Sequence, residues 1–266
     1  MSRIKEAFSD KKAFIAFITG GDPDIQITEA LLYEIAEAGA DLIEIGIPFS
    51  DPTAEGPIIQ AANERALRAG CTVDKLFDLI QKVRRKISTP IVFLTYANPV
   101  FSYGKEAFMK RCKEAQIDGI LMPDVPFEER DEFAEVCRKY DVDFLSMIAL
   151  TSEERIFKIA KEAQGFLYCV SSLGVTGARV DIPTEIGEKI AQVKQISEIP
   201  CAIGFGIATT EQAKKMAKIS DGVIVGSAIV KLVEKYGKEC IPIVGEYVRQ
   251  MKQAASFDQG YKYMKG

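Results

Sequence analysis

Histidine is absent from this chain of 266 residues, and so is tryptophan. Without an imidazole, the usual general base near neutral pH and the commonest metal ligand are both missing, so acid–base work falls to carboxylates, tyrosines or lysines. A divalent-metal site of the familiar type is not expected. The six cysteines, at 71, 112, 137, 169, 201 and 240, include no C-x-x-C pair. That dispersion fits neither a disulfide framework nor a zinc site, and reduced core residues are expected. The net charge is −4 and no run of Lys or Arg forms a basic stripe, so nothing marks a nucleic-acid surface. No apolar run reaches the roughly 18 residues of a membrane span, and the opening MSRIKEAFSDKKAF lacks the apolar centre of a signal peptide. A cytoplasmic protein without membrane attachment is expected.

What is present is a packed-core composition, with 47% hydrophobic and 27% charged residues and with glycine and proline scattered through the chain. One stretch stands out, DLIEIGIPFSDPTAEGP from Asp41 to Pro57. By strand alternation Leu42, Glu44 and Gly46 share one face while Ile43, Ile45 and Ile47 fill the other. Glu44 is thus a carboxylate inside an otherwise uncharged strand. Pro48 stops the strand, and the following loop supplies Asp51 and Glu55 before Gly56 and Pro57 open a helix.

Around that stretch apolar strands and amphipathic helices alternate. Strands are predicted at residues 13–21, 41–47, 91–99, 119–126, 143–150, within 166–177 together with the following loop, 201–208 and 222–228. Between them lie helices that include Ile58 to Arg65, Val73 to Val83, Lys105 to Glu114, Glu128 to Lys139, Thr184 to Ile196 and Thr210 to Ile219, with a closing helical region from Ala228 to Met251. Several units share one junction, a small or acidic residue between helix and apolar strand: AGADLIEI, AQIDGILM, YDVDFLSM, AQGFLYCV and ISDGVIVG. Eight such units predict a single-domain (β/α)8 TIM barrel over residues 1–256, with additional N-terminal and loop helices and a flexible tail at 257–266. An open doubly wound sheet is the alternative, but it places ligands after early strands, whereas the polar and glycine-rich loops here follow strands two, six, seven and eight.

Three late loops share one chemical character: Gly174 to Gly177, Gly204-Phe205-Gly206, and Gly226-Ser227-Ala228 at a helix start. Glycine lets the backbone approach an anion closely and a helix N-terminus adds positive potential, so phosphate is the expected guest. Phe205 lies within this set. Glu44 needs a buried cation or a function, and strands one, three, six, seven and eight supply no Lys or Arg. An unpaired buried carboxylate is costly unless its pKa rises, which suits a general acid or base. Glu55, in a loop, reads equally well as a solvated surface acid. Tyr96 and Tyr168 end or interrupt strands near the expected mouth, although core packing is the commoner fate of a tyrosine. Thr176 sits in a glycine-flanked loop suited to closing over a substrate. Phe17 and Phe205 are placed either to sandwich an aromatic ligand or simply to pack. The strands hold no lysine, which argues against Schiff-base chemistry.

Together IEIGIPFSDPTAEGPIIQ, YCVSSLGVTG, GFGI and DGVIVGSAIVK resemble the tryptophan synthase alpha chain family, from about Phe14 to Val248. The resemblance implies a lyase that cleaves indole-3-glycerol phosphate to indole and glyceraldehyde 3-phosphate with no cofactor on this chain. It also implies a beta-chain partner carrying pyridoxal phosphate, in an alpha2beta2 heterotetramer. Glu44 then matches the catalytic glutamate. Glu55 stands where the family pattern ADGP has its second catalytic carboxylate, and here the sequence is AEGP, one methylene longer. Phe17, Tyr96, Tyr168 and Thr176 fall with the substrate pocket, and Gly177, Phe205, Gly206, Gly226 and Ser227 with the phosphate cradle. Ser172 replaces a commonly seen arginine, and Pro48, Asp51 and Asn98 lie near the face turned to the beta chain. Two other readings stay open at this point. Another phosphate-binding barrel, an isomerase or epimerase, would usually offer a lysine or histidine at its strand ends; a noncatalytic barrel that activates a partner would not need both carboxylates.

Overall fold

The computed structural model describes residues 2–149, 153–170, 184–204 and 206–256. Eight parallel strands, β1 (Ala13–Thr19), β2 (Leu42–Gly46), β3 (Ile91–Leu94), β4 (Gly119–Leu121), β5 (Asp143–Ala149), β6 (Leu167–Val170), β7 (Cys201–Gly204) and β8 (Gly222–Val225), close in sequence order into a barrel. The helices are α1 (Arg3–Ala7), α2 (Ile25–Glu37), α3 (Pro57–Arg68), α4 (Val73–Val83), α5 (Ala97–Tyr103), α6 (Lys105–Glu114), α7 (Asp131–Lys139), α8 (Glu153–Glu162), α9 (Thr184–Ile196), α10 (Thr210–Ile219), α11 (Ser227–Tyr236) and α12 (Cys240–Ser256). The expected tail at 257–266 lies outside the described residues.

Strand alternation sorts the core into two shells. Ile15, Phe17, Leu42, Val92, Leu121, Leu145, Ala202 and Ile224 fill the barrel interior. Their neighbours in sequence, among them Phe14, Ile43, Ile45, Phe93, Ile120, Ile203 and Val223, pack outward beneath the helices. All six cysteines are buried and free.

The polar residues at the junctions that repeat along the sequence have a structural job at the N-terminal rim. Asp41, Asp118, Gln164 and Asp221 precede β2, β4, β6 and β8. Their side-chain oxygens accept the backbone N–H of Phe14 (2.7 Å), Ile91 (2.8 Å), Phe144 (3.2 Å) and Cys201 (2.8 Å) on the preceding strand. Helix α1 closes the same end. Ile4 is fully buried in the inner shell, Phe8 meets Phe166 at a centroid distance of 5.4 Å, and the Arg3 Nε donates to Asp118 at 2.6 Å.

Several predicted boundaries shift. The third strand stops at Leu94 and not at Pro99, because α5 begins at Ala97, whose N–H donates to both Asp124 carboxylate oxygens at 3.0 and 3.2 Å. A carboxylate from the next loop thus caps this helix, and Pro99 in its first turn has no amide hydrogen to leave unsatisfied. The fourth strand ends at Leu121, ahead of Pro123 and Pro126, and a 3-10 turn at Phe127–Glu129 leads into α7. The closing helical region is divided at Gly237, whose φ of +51° ends α11.

Candidate active site

Glu44 projects from β2 into the barrel, paired in register with Phe17 on β1 and Val92 on β3. It is 1% exposed, and neither carboxylate oxygen has a hydrogen-bond partner among the described residues. Burial pushes this carboxyl up to about 8, and the charge of Glu55 adds to the effect. The group therefore holds a proton at neutral pH and gives it up in a range useful for catalysis.

Glu55 precedes α3 in a loop tied down at several points. The Glu55 N–H donates to the Pro52 carbonyl at 3.4 Å and Gln60 Nε2 to the Glu55 carbonyl at 2.8 Å. The loop's Ala54 N–H donates to the Tyr96 hydroxyl at 3.2 Å, and the Tyr96 ring leans on Phe49 at 5.3 Å. Asn63 Nδ2 donates to Glu55 Oε2 at 2.5 Å. Burial raises the Glu55 carboxyl to about 7, against the opposing hydrogen bonds from Asn63 and Tyr96. The loop acid is thus a partly buried group beside Glu44, and not a solvated one. Asp51 behaves otherwise: it is exposed and accepts from the Ser50 hydroxyl at 2.5 Å.

Aromatic residues line the space around the two acids. Tyr168 stands on the inward face of β6; burial first, then the charges of Glu44 and Glu55, drive its hydroxyl well above its ordinary range. Gly204 makes this position possible, since a Cβ there would lie 2.6 Å from the Tyr168 hydroxyl. Phe17 is seated in the same manner between two glycines. A Cβ at Gly46 would approach its ring to 2.9 Å and one at Gly226 to 3.1 Å. Gly226 therefore shapes the aromatic wall as well as preceding α11. Tyr96 is only 1% exposed, and the contact recorded for its hydroxyl is with the Glu55 loop.

Next to Phe17, Ser227 begins α11, whose first turn has no side-chain cap among the described residues and suits an anion. Gly206 adopts φ +63° with open space around it, a conformation that favours glycine. Thr176, Gly177 and Phe205, together with Ser172, lie outside the described residues. No cluster of three or more His, Cys, Asp or Glu side chains suited to a metal occurs among the described residues.

Two contributors escaped the sequence reading. Asn63 is 2% exposed on α3, between the buried Ala62 and Ala66, and a lone amide on an apolar helix face was the available signal. Arg65, also on α3, grips Asp22 through Nε and Nη2 at 2.8 and 2.9 Å and Glu234 on α11 through Nη1 at 2.9 Å. It thereby joins the helix behind Glu55 to the helix that begins at Ser227.

Residues 4–256 match the family model described as tryptophan synthase alpha chain. The tryptophan synthase alpha chain of Lacticaseibacillus casei is 46% identical over 254 residues, covering 96% of each chain. A crystal structure of the alpha chain from Legionella pneumophila superposes with a TM-score of 0.86 at 34% identity, over 96% of this chain and 97% of that one. A structure from the tryptophan synthase a2b2 complex of Pyrococcus furiosus gives 0.84 at 36% identity, over 91% and 98%.

Proposed function

The chain belongs to the tryptophan synthase alpha chain family, whose members cleave indole-3-glycerol phosphate, and from that premise we propose that Glu44 and Glu55 divide the chemistry between them. Protonated Glu44 delivers its proton to C3 of the indole ring. The resulting carboxylate then takes the proton from the neighbouring glycerol hydroxyl. As that carbonyl forms, the carbon–carbon bond breaks and its electron pair returns to the ring, leaving indole and glyceraldehyde 3-phosphate. Ionised Glu55 accepts the indole N–H and offsets the positive charge that develops on the ring nitrogen. The reaction needs Glu44 protonated and Glu55 charged. With the pair titrating near 7 and near 8, the singly ionised form is most abundant between those values.

Phe17 and Tyr168 form walls for the indole, Tyr96 holds the loop of Glu55, and the family pattern assigns Thr176 to the same pocket. The phosphate rests on Gly206, Gly226 and Ser227 together with Gly177 and Phe205. The observation that carries the assignment is the buried carboxylate of Glu44, which has no hydrogen-bond partner among the described residues. The chain needs no cofactor of its own for this chemistry. A beta chain bearing pyridoxal phosphate is its partner in an alpha2beta2 assembly, a reading supported by the a2b2 complex among the related structures. Exposed Asn98, Asp51 and the 45% exposed Phe101 supply a face for that partner. No helix among the described residues is long and apolar enough to cross a membrane.

Indole release from indole-3-glycerol phosphate, measured with and without beta chain, tests the assignment. Glu44→Gln should lower kcat by about a thousandfold, within the range for loss of a general acid or base, with KM changed less than about threefold. Residual turnover within about tenfold of wild type would remove Glu44 from the mechanism.

A further inference from the structure

The two acids at the mouth of the barrel differ in one contact. Glu55 Oε2 accepts a hydrogen bond from Asn63 Nδ2 at 2.5 Å, whereas both oxygens of Glu44 go without among the described residues. An amide N–H bonded to a carboxylate favours the ionised form, and a carboxylate in apolar surroundings favours the neutral one. Asn63 is itself fixed. Its Nδ2 also donates to the Ile59 carbonyl at 3.1 Å, and its Oδ1 accepts the Phe49 N–H at 3.3 Å. These bonds orient the amide, since a flipped side chain would set an oxygen against the Glu55 carboxylate and the Ile59 carbonyl.

We propose that Asn63 is a positioning residue that decides which of the two carboxylates carries the negative charge when the pair shares one proton. It selects Glu55, leaving Glu44 loaded for proton delivery. The inference rests on the catalytic roles proposed above for the two acids. Its second effect is geometric: with Oε2 held from α3, the long glutamate arm is fixed and Oε1 is left for the indole nitrogen. The other titratable groups facing the pair are Tyr168 from β6 and Tyr96 at the start of α5, the latter with Asp124 nearby. Both tyrosines stay neutral across the working range because burial raises their hydroxyls.

The test is the pH profile of kcat/KM and the split between kcat and KM for Asn63→Ala, Asn63→Asp and Glu55→Gln, alone and combined, with beta chain present. Asn63→Ala should reduce kcat about tenfold or more, leave KM within about threefold, and move the acid limb upward by about half a pH unit, in the range of losing one charge-assisted hydrogen bond. Asn63→Asp retains the acceptor for the Phe49 N–H and the side-chain shape, but its charge opposes that of Glu55. It should fold and lose more activity than the alanine variant. In a Glu55→Gln background, removing Asn63 should cost little further, because the charge it directs has gone. A wild-type pH profile in folded Asn63→Ala, or losses that simply multiply in the double variant, would overturn the proposal. If Glu55→Gln alone kept wild-type activity, the underlying role of Glu55 would fall first, and the two failures are distinguishable.

Discussion

Asp118 and Glu44 are both buried carboxylates of the same barrel, one at the N-terminal rim and the other near the C-terminal mouth, yet they live in opposite surroundings. Asp118 accepts from Arg3 Nε at 2.6 Å, Arg84 Nη2 at 2.6 Å and the Ile91 N–H at 2.8 Å. Glu44 accepts from nothing among the described residues. A carboxylate bonded to that extent is held in place and serves the architecture. One stripped of partners has a proton that can move. The division of labour familiar in this barrel, stability below and chemistry above, is thus legible in two residues.

The largest expected effect on stability comes from breaking the paired end. Asp118→Ala leaves Arg84, whose side chain is 3% exposed, without its compensating carboxylate. A loss of about 3–5 kcal/mol is expected, a fall in Tm on the order of 10 °C, while kcat of the protein that remains folded stays within about twofold. Calorimetry with parallel indole assays would show it, and equal damage to kcat would mean that the two rims are not independent.

At the unpaired end the sign reverses. Glu44 has a folded-state pKa raised from 4.5 to about 8, so between those values the unfolded chain ionises first and wild-type stability falls as pH rises. Glu44→Gln cannot ionise and escapes this loss. It should be more stable than wild type by a few kcal/mol at pH 8, with the gain vanishing below about pH 4.5. Denaturant titrations at both pH values decide it; a gain independent of pH would point to packing in place of charge.

The smallest effect is expected at Glu55. Glu55→Asp restores the shorter arm and keeps the charge, so turnover should remain within about tenfold of wild type. Complete loss, measured by indole release, would show that the reach from Asn63 to the carboxylate requires glutamate.

The barrel was legible because alternation of apolar residues and the repeated junctions are local patterns. Glu44 was legible for the same reason, as a charge interrupting a strand whose other positions are apolar or glycine. The end of β3 was not, since the Asp124 carboxylate that starts α5 arrives from a different loop and overrides the extended pattern of residues 95–99. Asn63 was not legible either. Its role depends on the turn that brings Glu55 back over α3, and a lone amide on an apolar helix face signals burial without naming the carboxylate it meets. The family pattern supplied Glu55, whose own loop looked solvated, and the structure adds the buried surroundings that make such a role physically reasonable.

The four side-chain clasps at the N-terminal rim join β1 to β2, β3 to β4, β5 to β6 and β7 to β8. The barrel is thereby counted in twos: its modular unit is a locked strand pair with the helix between them, and the β8–β1 seam is bridged differently, by Lys12 Nζ donating to the Ser220 carbonyl at 2.6 Å. Phe17 and Glu44, partners in register, belong to one such unit, fastened by Asp41. The wall proposed for the indole and the acid proposed to protonate it therefore descend from a single module, whose internal alignment is set at the opposite end of the barrel.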